Sequence, residues 1–188
     1  MVEEQQIFRL KVTLRGSRPP IWRRFEVPGN VTLRQLHRIL QAVMGWTDTH
    51  LHQFQQGQVS YGESDPEFGV RRVSEKKTRL RDVLQKPGDR MSYQYDFGDG
   101  WEHDLVLEAV APNLAGKLQP QVLQGRRACP PEDVGGIHGY YEFLEAIGNP
   151  EHPSHQDMVE WWGGPFDAGA FDLDDVNQAL SRMRFSHS

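Results

Sequence analysis

The chain has 188 residues, 37% of them hydrophobic and 25% charged, with 18 Gly and 12 Pro, which suits one globular, loop-rich domain and excludes disordered and coiled-coil classes. Its single Cys129 excludes an internal disulfide framework and every CxxC-type zinc site, and no apolar run is long enough to span a bilayer. The net charge of −5 hides a split, since residues 1–90 carry +6 and residues 91–188 carry −11.

Phe8, Leu10, Val12 and Leu14 alternate with Arg9, Lys11, Thr13 and Arg15, the period of a strand with one buried face. Residues 16–20 break it, and a second strand is expected over residues 21–27, with Ile21, Arg23, Phe25 and Val27 on one side. Thr32 stands three residues before Gln35, the capping-box spacing. A helix follows, with Leu33, Leu36, Ile39, Leu40, Val43 and Met44 inward, Arg34, His37, Arg38 and Gln41 outward, and Gly45 as its stop. Residues 50–61 read as one further strand, residues 62–77 as a polar loop, and residues 78–84 as a short helix. Met91, Tyr93 and Tyr95 mark a strand that turns at Phe97-Gly98-Asp99-Gly100 into a partner strand over residues 101–110. Residues 111–124 read as loop, and residues 126–139 as a Pro- and Gly-rich segment. Three short helices are expected after it: one through Tyr140, Phe143, Leu144 and Ile147, one from Ser154 to Trp161-Trp162, and one capped by Asp172 with Leu173, Val176, Leu180 and Met183 inward.

This order predicts an α+β fold: a β-grasp-like mixed or antiparallel sheet with one main helix across it, and short C-terminal helices packed on the core. Residues 1–188 are expected to form a single domain, with residues 7–110 as the sheet-and-helix core and residues 111–188 as a loop and acidic helical extension. Residues 1–6 are acidic and polar, without the basic start and apolar stretch of a signal peptide, and with a lone cysteine a cytoplasmic location is expected.

Three residue sets are candidates for function. His50, His52, Asp96, Asp99 and His103 offer imidazoles and carboxylates near a hairpin, a donor set for Zn, Mn or Fe, with Zn or Mn as the possible cofactor. The plainer reading puts the histidines along a sheet edge and the aspartates on turn amides. The segment Cys129, Pro130, Pro131, Glu132 and Asp133 lies beside Arg126 and Arg127, which would favour a thiolate, whereas the acids oppose one. It reads as a rigid structural loop with a buried cysteine. Arg23, Arg24, Arg34 and Arg38, with Arg9, Lys11, Arg15 and Arg18, could meet phosphates of a nucleic acid, but internal pairing with the acidic half is the plainer reading. No phosphate-binding Gly-rich loop, dinucleotide fingerprint or G-x-S-x-G elbow is present.

Four stretches carry a family resemblance: Arg18-Pro19-Pro20-Ile21-Trp22-Arg23-Arg24; Leu33-x-x-Leu36-His37 through Met44-Gly45-Trp46 to His50-Leu51-His52-x-Phe54; Tyr95-Asp96-Phe97-Gly98-Asp99-Gly100-Trp101-Glu102-His103; and Ala128-Cys129-Pro130-Pro131-Glu132-Asp133 with Gly135-Gly136 and Gly139-Tyr140. Together they resemble the Ri-plasmid open-reading-frame-three-like family, whose members are often labelled TnpR-type passengers of insertion elements. The resemblance implies no activity that can be carried over. The resolvase label would imply a recombinase, but no serine here has an Arg-rich catalytic setting and no helix-turn-helix pattern stands apart. The family's second cysteine, in a Pro-x-Cys-x-x-Gly setting, is replaced here by Val122, which argues against a two-thiol role for Cys129.

The leading expectation is therefore a binding or interaction module with a protein partner and no membrane contact, not an enzyme. A metal-dependent enzyme built on the His/Asp set and a nucleic-acid accessory protein of an insertion element remain as alternatives.

Overall fold

Period-two alternation builds the sheet from its first residues. Phe8, Leu10, Val12 and Leu14 of β1 (Gln6–Leu14) are buried, as are Arg23, Phe25 and Val27 of β2 (Trp22–Pro28), and the two strands pair antiparallel. The structure is a computed structural model that describes residues 5–65, 67, 69–114, 116 and 119–184. Among these, the further strands are β3 (His52–Gln56), β4 (Val59–Gly62), β5 (Val73–Ser74), β6 (Arg90–Tyr95), β7 (Trp101–Pro112) and β8 (Gln121–Arg126). They form one eight-stranded sheet in the order β5-β4-β3-β6-β7-β1-β2-β8. Each neighbouring pair is antiparallel except β4 with β5. The α+β expectation holds.

Helix α1 (Leu33–Met44) begins at a capping box: the Thr32 hydroxyl accepts from the Gln35 amide at 3.2 Å, and Gln35 Oε1 accepts from the Thr32 amide at 2.8 Å. It ends at Gly45, whose φ of 96° lets its amide reach the Gln41 carbonyl. Side-chain bonds tie α1 to Tyr93 of β6 and to Arg23 of β2, so the helix crosses the sheet's buried face. The short α2 (Leu80–Val83) follows the polar loop. Helices α3 (Gly136–Gly148), α4 (His155–Trp162) and α5 (Leu173–Ser181) come last, and Asp172 caps α5 by accepting from the amides of Asp174 and Asp175. Leu180 is fully buried, and α5 packs on α1 and β8. No helix among the described residues is long and apolar enough to cross a membrane.

Five local expectations need correction. Residues 50–61 are not one strand but the hairpin β3–β4, turned at Gly57 with φ 58°. The loop expected over residues 111–124 contains the end of β7 and the start of β8. β8 forms because β2 offers it a free edge, and the Asn177 side chain then closes its far side by accepting from Val122 N at 2.8 Å and donating to Val122 O at 3.0 Å. The polar loop of residues 62–77 contributes β5. His37 and Gln41 lie under α1, not outside it, because Tyr93 supplies both with hydrogen bonds. Leu173 stands exposed at the start of α5 instead of packing inward.

The charge split is met partly inside the molecule. Arg15 pairs with Glu102 at 2.8 Å and Asp104 at 2.6 Å, and Arg24 grips both oxygens of Glu108.

Candidate functional site

The loop between α1 and β3 brings two histidine–carboxylate groups to one end of the sheet. In the first, His37 Nε2 meets Asp48 Oδ1 at 2.6 Å, and His37 Nδ1 meets Tyr93 Oη at 2.8 Å. Gln41 donates to the same Tyr93 hydroxyl, and its Oε1 accepts from the Asp48 amide. With Tyr93 receiving from Gln41, its proton goes to His37 Nδ1, and His37 Nε2–H donates to Asp48. Burial, with His52 beside it, pushes the His37 pKa down to about 4 against the upward pull of Asp48. The His52 ring stacks on His37 with centroids 3.4 Å apart and 3° between planes, and His52 Nε2 meets Glu75 Oε2 at 2.7 Å. Burial works to raise the Glu75 pKa, but the bond to His52 and the nearby Arg34 hold it below its ordinary value. His37, Asp48 and His52 are close enough to suggest a metal site. Face-to-face rings point their nitrogens along parallel planes, however, and each Nε2 already has its own carboxylate partner. This group is a closed hydrogen-bond network.

The second group is open. Asp96 sits in the left-handed region at φ 54°, which Asp tolerates, and its Oδ1 accepts from the Gly98 amide at 2.8 Å. That leaves Oδ2 3.7 Å from His50 Nε2. Asp133, also left-handed at φ 59°, brings Oδ1 to 3.1 Å from the same nitrogen. The His50 Nε2 atom is shielded from solvent yet lies in hydrogen-bonding geometry with neither carboxylate. One imidazole nitrogen and two carboxylate oxygens thus converge within reach of a single ion.

The loop that carries Asp133 is held from several sides. Glu132 accepts from the hydroxyls of Thr47 and Tyr95, each at 2.5 Å, and from the Thr49 hydroxyl at 3.3 Å. Burial and Glu132 together push the Tyr95 pKa up to about 12. Asp99 accepts from the Gly135 amide at 3.1 Å. A Cβ at Gly136 would stand 2.3 Å from the Asp99 carbonyl oxygen, so only glycine allows this approach. Trp46 Nε1 donates to the Pro130 carbonyl, Pro131 is buried, and Cys129 packs against the core. Burial pushes the Cys129 thiol up, away from thiolate chemistry.

The five residues of the His/Asp set therefore fall in separate places. His50 and Asp96 meet at the open group, joined by Asp133. His52 belongs to the closed network with Glu75. Asp99 positions the loop. His103 is wholly buried under the edge of Trp46, its Nδ1 3.3 Å from the Tyr93 carbonyl oxygen, and burial pushes its pKa down to about 4. His37, Asp48 and Glu75 were not singled out from sequence, although His37 follows Leu33 by four and precedes Leu40 by three, the spacing of the buried face.

The arginines are mostly committed. Arg23 is 2% exposed and donates to the carbonyls of Val43, Trp22, Arg126 and Arg127, with its guanidinium 4.2 Å from the Phe171 ring centre. A buried guanidinium spent on carbonyls has nothing left for a phosphate, which corrects its place among the phosphate-binding candidates. Arg24 is held by Glu108 and Gln124, and Arg34 lies 3.4 Å from Glu75. Arg38 is exposed on α1.

Beside the open group lies a cleft of about 420 Å³, lined by His50, His52, Arg34, Arg72, Leu51 and Phe97 among others.

The chain is similar to proteins that span nearly its whole length. A protein from Sinorhizobium fredii (strain NBRC 101917 / NGR234), described as "Uncharacterized protein y4hQ", is 40% identical over 179 residues, covering 94% of this chain and 92% of its own. The crystal structure of the protein of unknown function MM3350 from Methanosarcina mazei Go1 superposes with a TM-score of 0.83 at 38% identity, covering 93% of this chain and 99% of that one. The family model described as "Plasmid pRiA4b ORF-3-like protein" matches residues 6–175, and the chain belongs to that family.

Proposed function

We propose that the chain is a binding module that takes up a divalent cation on His50, Asp96 and Asp133. The observation that carries this is the His50 Nε2 atom, shielded from solvent, without a hydrogen bond, and 3.1 and 3.7 Å from two carboxylate oxygens. A nitrogen and two oxygens suit Mn²⁺ or Zn²⁺. A cytoplasmic setting belongs to the same reading, supported by a lone cysteine whose thiol burial keeps protonated. So does the grasp-like description of the sheet, supported by one main helix crossing from β6 to β2.

The experiment is a titration of chelator-treated protein with Mn²⁺, counting bound ion by the loss of its free electron paramagnetic resonance signal, and with Zn²⁺ by calorimetry. One ion per chain is expected. Asp96→Asn and Asp133→Asn keep the shape and the left-handed backbone, and each is expected to weaken binding about tenfold or more. No uptake of either ion, or uptake that both variants leave unchanged, overturns the reading.

A further inference from the structure

We infer that the cleft beside this cation site receives a small ligand carrying an oxyanion, a phosphate or a carboxylate, on an apolar or aromatic body. The inference rests on the cation reading and names the ligand class of the same site.

Three protein ligands leave positions open on Mn²⁺ or Zn²⁺, and His50 lines the cleft. Two carboxylates balance the ion's charge, so the charge of the cleft is decided by its other walls. Of the acidic side chains there, Asp48 accepts from neutral His37 at 2.6 Å and Glu63 pairs with Lys76 at 3.2 Å. The two guanidinium groups are only partly engaged. Arg34 gives one nitrogen to Glu75 at 3.4 Å and is 35% exposed. Arg72 is positioned by Nε on Gln53 at 3.2 Å and Nη1 on the Glu63 carbonyl at 2.8 Å, while its Nη2 makes no hydrogen bond among the described residues. Arg34 and Arg72 line the same cleft as His50, and two guanidinium groups with unused donors beside a bound cation make a receptor for an oxyanion.

The mouth supplies the rest of the ligand. Leu51 is 65% exposed and Phe97 42% exposed, and both line this cleft. Single exposed apolar side chains need no explanation, but these two bracket a charged site, and Phe97 lies 5.6 Å below the Arg72 guanidinium. A volume of about 420 Å³ fits a small molecule.

The test uses the full chain, metal-free and Mn-loaded, titrated by calorimetry with inorganic phosphate, phenyl phosphate and benzoate. Binding to the loaded protein is expected in the millimolar range or tighter. Phenyl phosphate is expected to bind about threefold to tenfold tighter than inorganic phosphate, an advantage that Phe97→Ala removes. Arg34→Gln is expected to weaken both about tenfold, with circular dichroism confirming that each variant folds. The tighter of phenyl phosphate and benzoate identifies the oxyanion. If Mn²⁺ binds but none of the three does at about 20 mM, or if neither variant matters, this inference falls and the cation reading stands. If Mn²⁺ does not bind, the cation reading falls. The oxyanion cleft then survives only if the metal-free protein binds these ligands with the same dependence on Arg34 and Phe97.

Discussion

Replacing Arg23 with alanine would leave four backbone carbonyls, those of Val43, Trp22, Arg126 and Arg127, without their donor, the first buried and the others partly buried. These carbonyls belong to the end of α1, to β2, and to the end of β8 and the residue after it, so one guanidinium joins the neighbouring β2 and α1 to a strand about a hundred residues later. Burial lowers its pKa to about 10, which still leaves it charged at neutral pH, so each bond is charge-assisted. A hydrogen bond from a charged donor contributes about 1.5–3 kcal/mol, and the four share one desolvation cost, so the net loss for Arg23→Ala is expected near 3–5 kcal/mol. Arg23→Met keeps the stem against Phe171 but not the donors, and should recover little. Arg23→Lys keeps a charge but not the fork, and should recover part. Urea unfolding followed by tryptophan fluorescence measures all three, with exposed Arg38→Ala as a reference within about 0.5 kcal/mol of the parent. A loss below about 1 kcal/mol for Arg23→Ala would show that the carbonyls find other partners, and the reasoning would fail.

One further prediction follows from buried histidines and one from backbone space. His103 is held neutral in the fold, its pKa down at about 4 from an ordinary 6.5, so as pH falls below about 6.5 the unfolded chain takes up a proton that the native chain refuses. Its contribution is a stability loss approaching about 3 kcal/mol between pH 6.5 and pH 4, and His37 acts in the same direction. Nuclear magnetic resonance of the imidazoles checks this, and a native His103 that protonates near its ordinary pKa refutes it. Gly136→Ala should cost about 2 kcal/mol or more, because φ is +68° and the new Cβ meets the Asp99 carbonyl; it should also displace Asp133 and weaken Mn²⁺ uptake, and an alanine variant with unchanged melting and uptake would sink the account of this loop.

What could be read from sequence divides by distance along the chain. The capping box, the Gly45 stop and the Asp172 cap depend on residues within a few positions, and all stand where their chemistry places them. β8 was invisible because its reason to be a strand is β2, about a hundred residues earlier, and an asparagine 55 residues later. Arg23 shows a conflict of signals. Its period-two position put it inward with Ile21 and Phe25, its charge argued outward, and four carbonyls settled the matter in favour of the position. At the candidate site, His50 and Asp96 were legible as chemistry. Their third member was not, since Asp133 reaches them through a loop whose path depends on Gly135, Gly136 and Asp99. His103 stays out of the site because Trp46 covers it, which a histidine's type alone does not reveal.

Asn177 has a consequence for how the molecule is made. Synthesis runs from the N-terminus, and β8 is complete as a segment some fifty residues before Asn177 emerges. During that interval the Val122 amide and carbonyl lie on the outer margin of the sheet without the side chain that later answers both. Another nascent chain could answer them instead. The last helix therefore acts as a terminator of strand addition, and a chain released before residue 177 would carry a growing edge in place of a finished one.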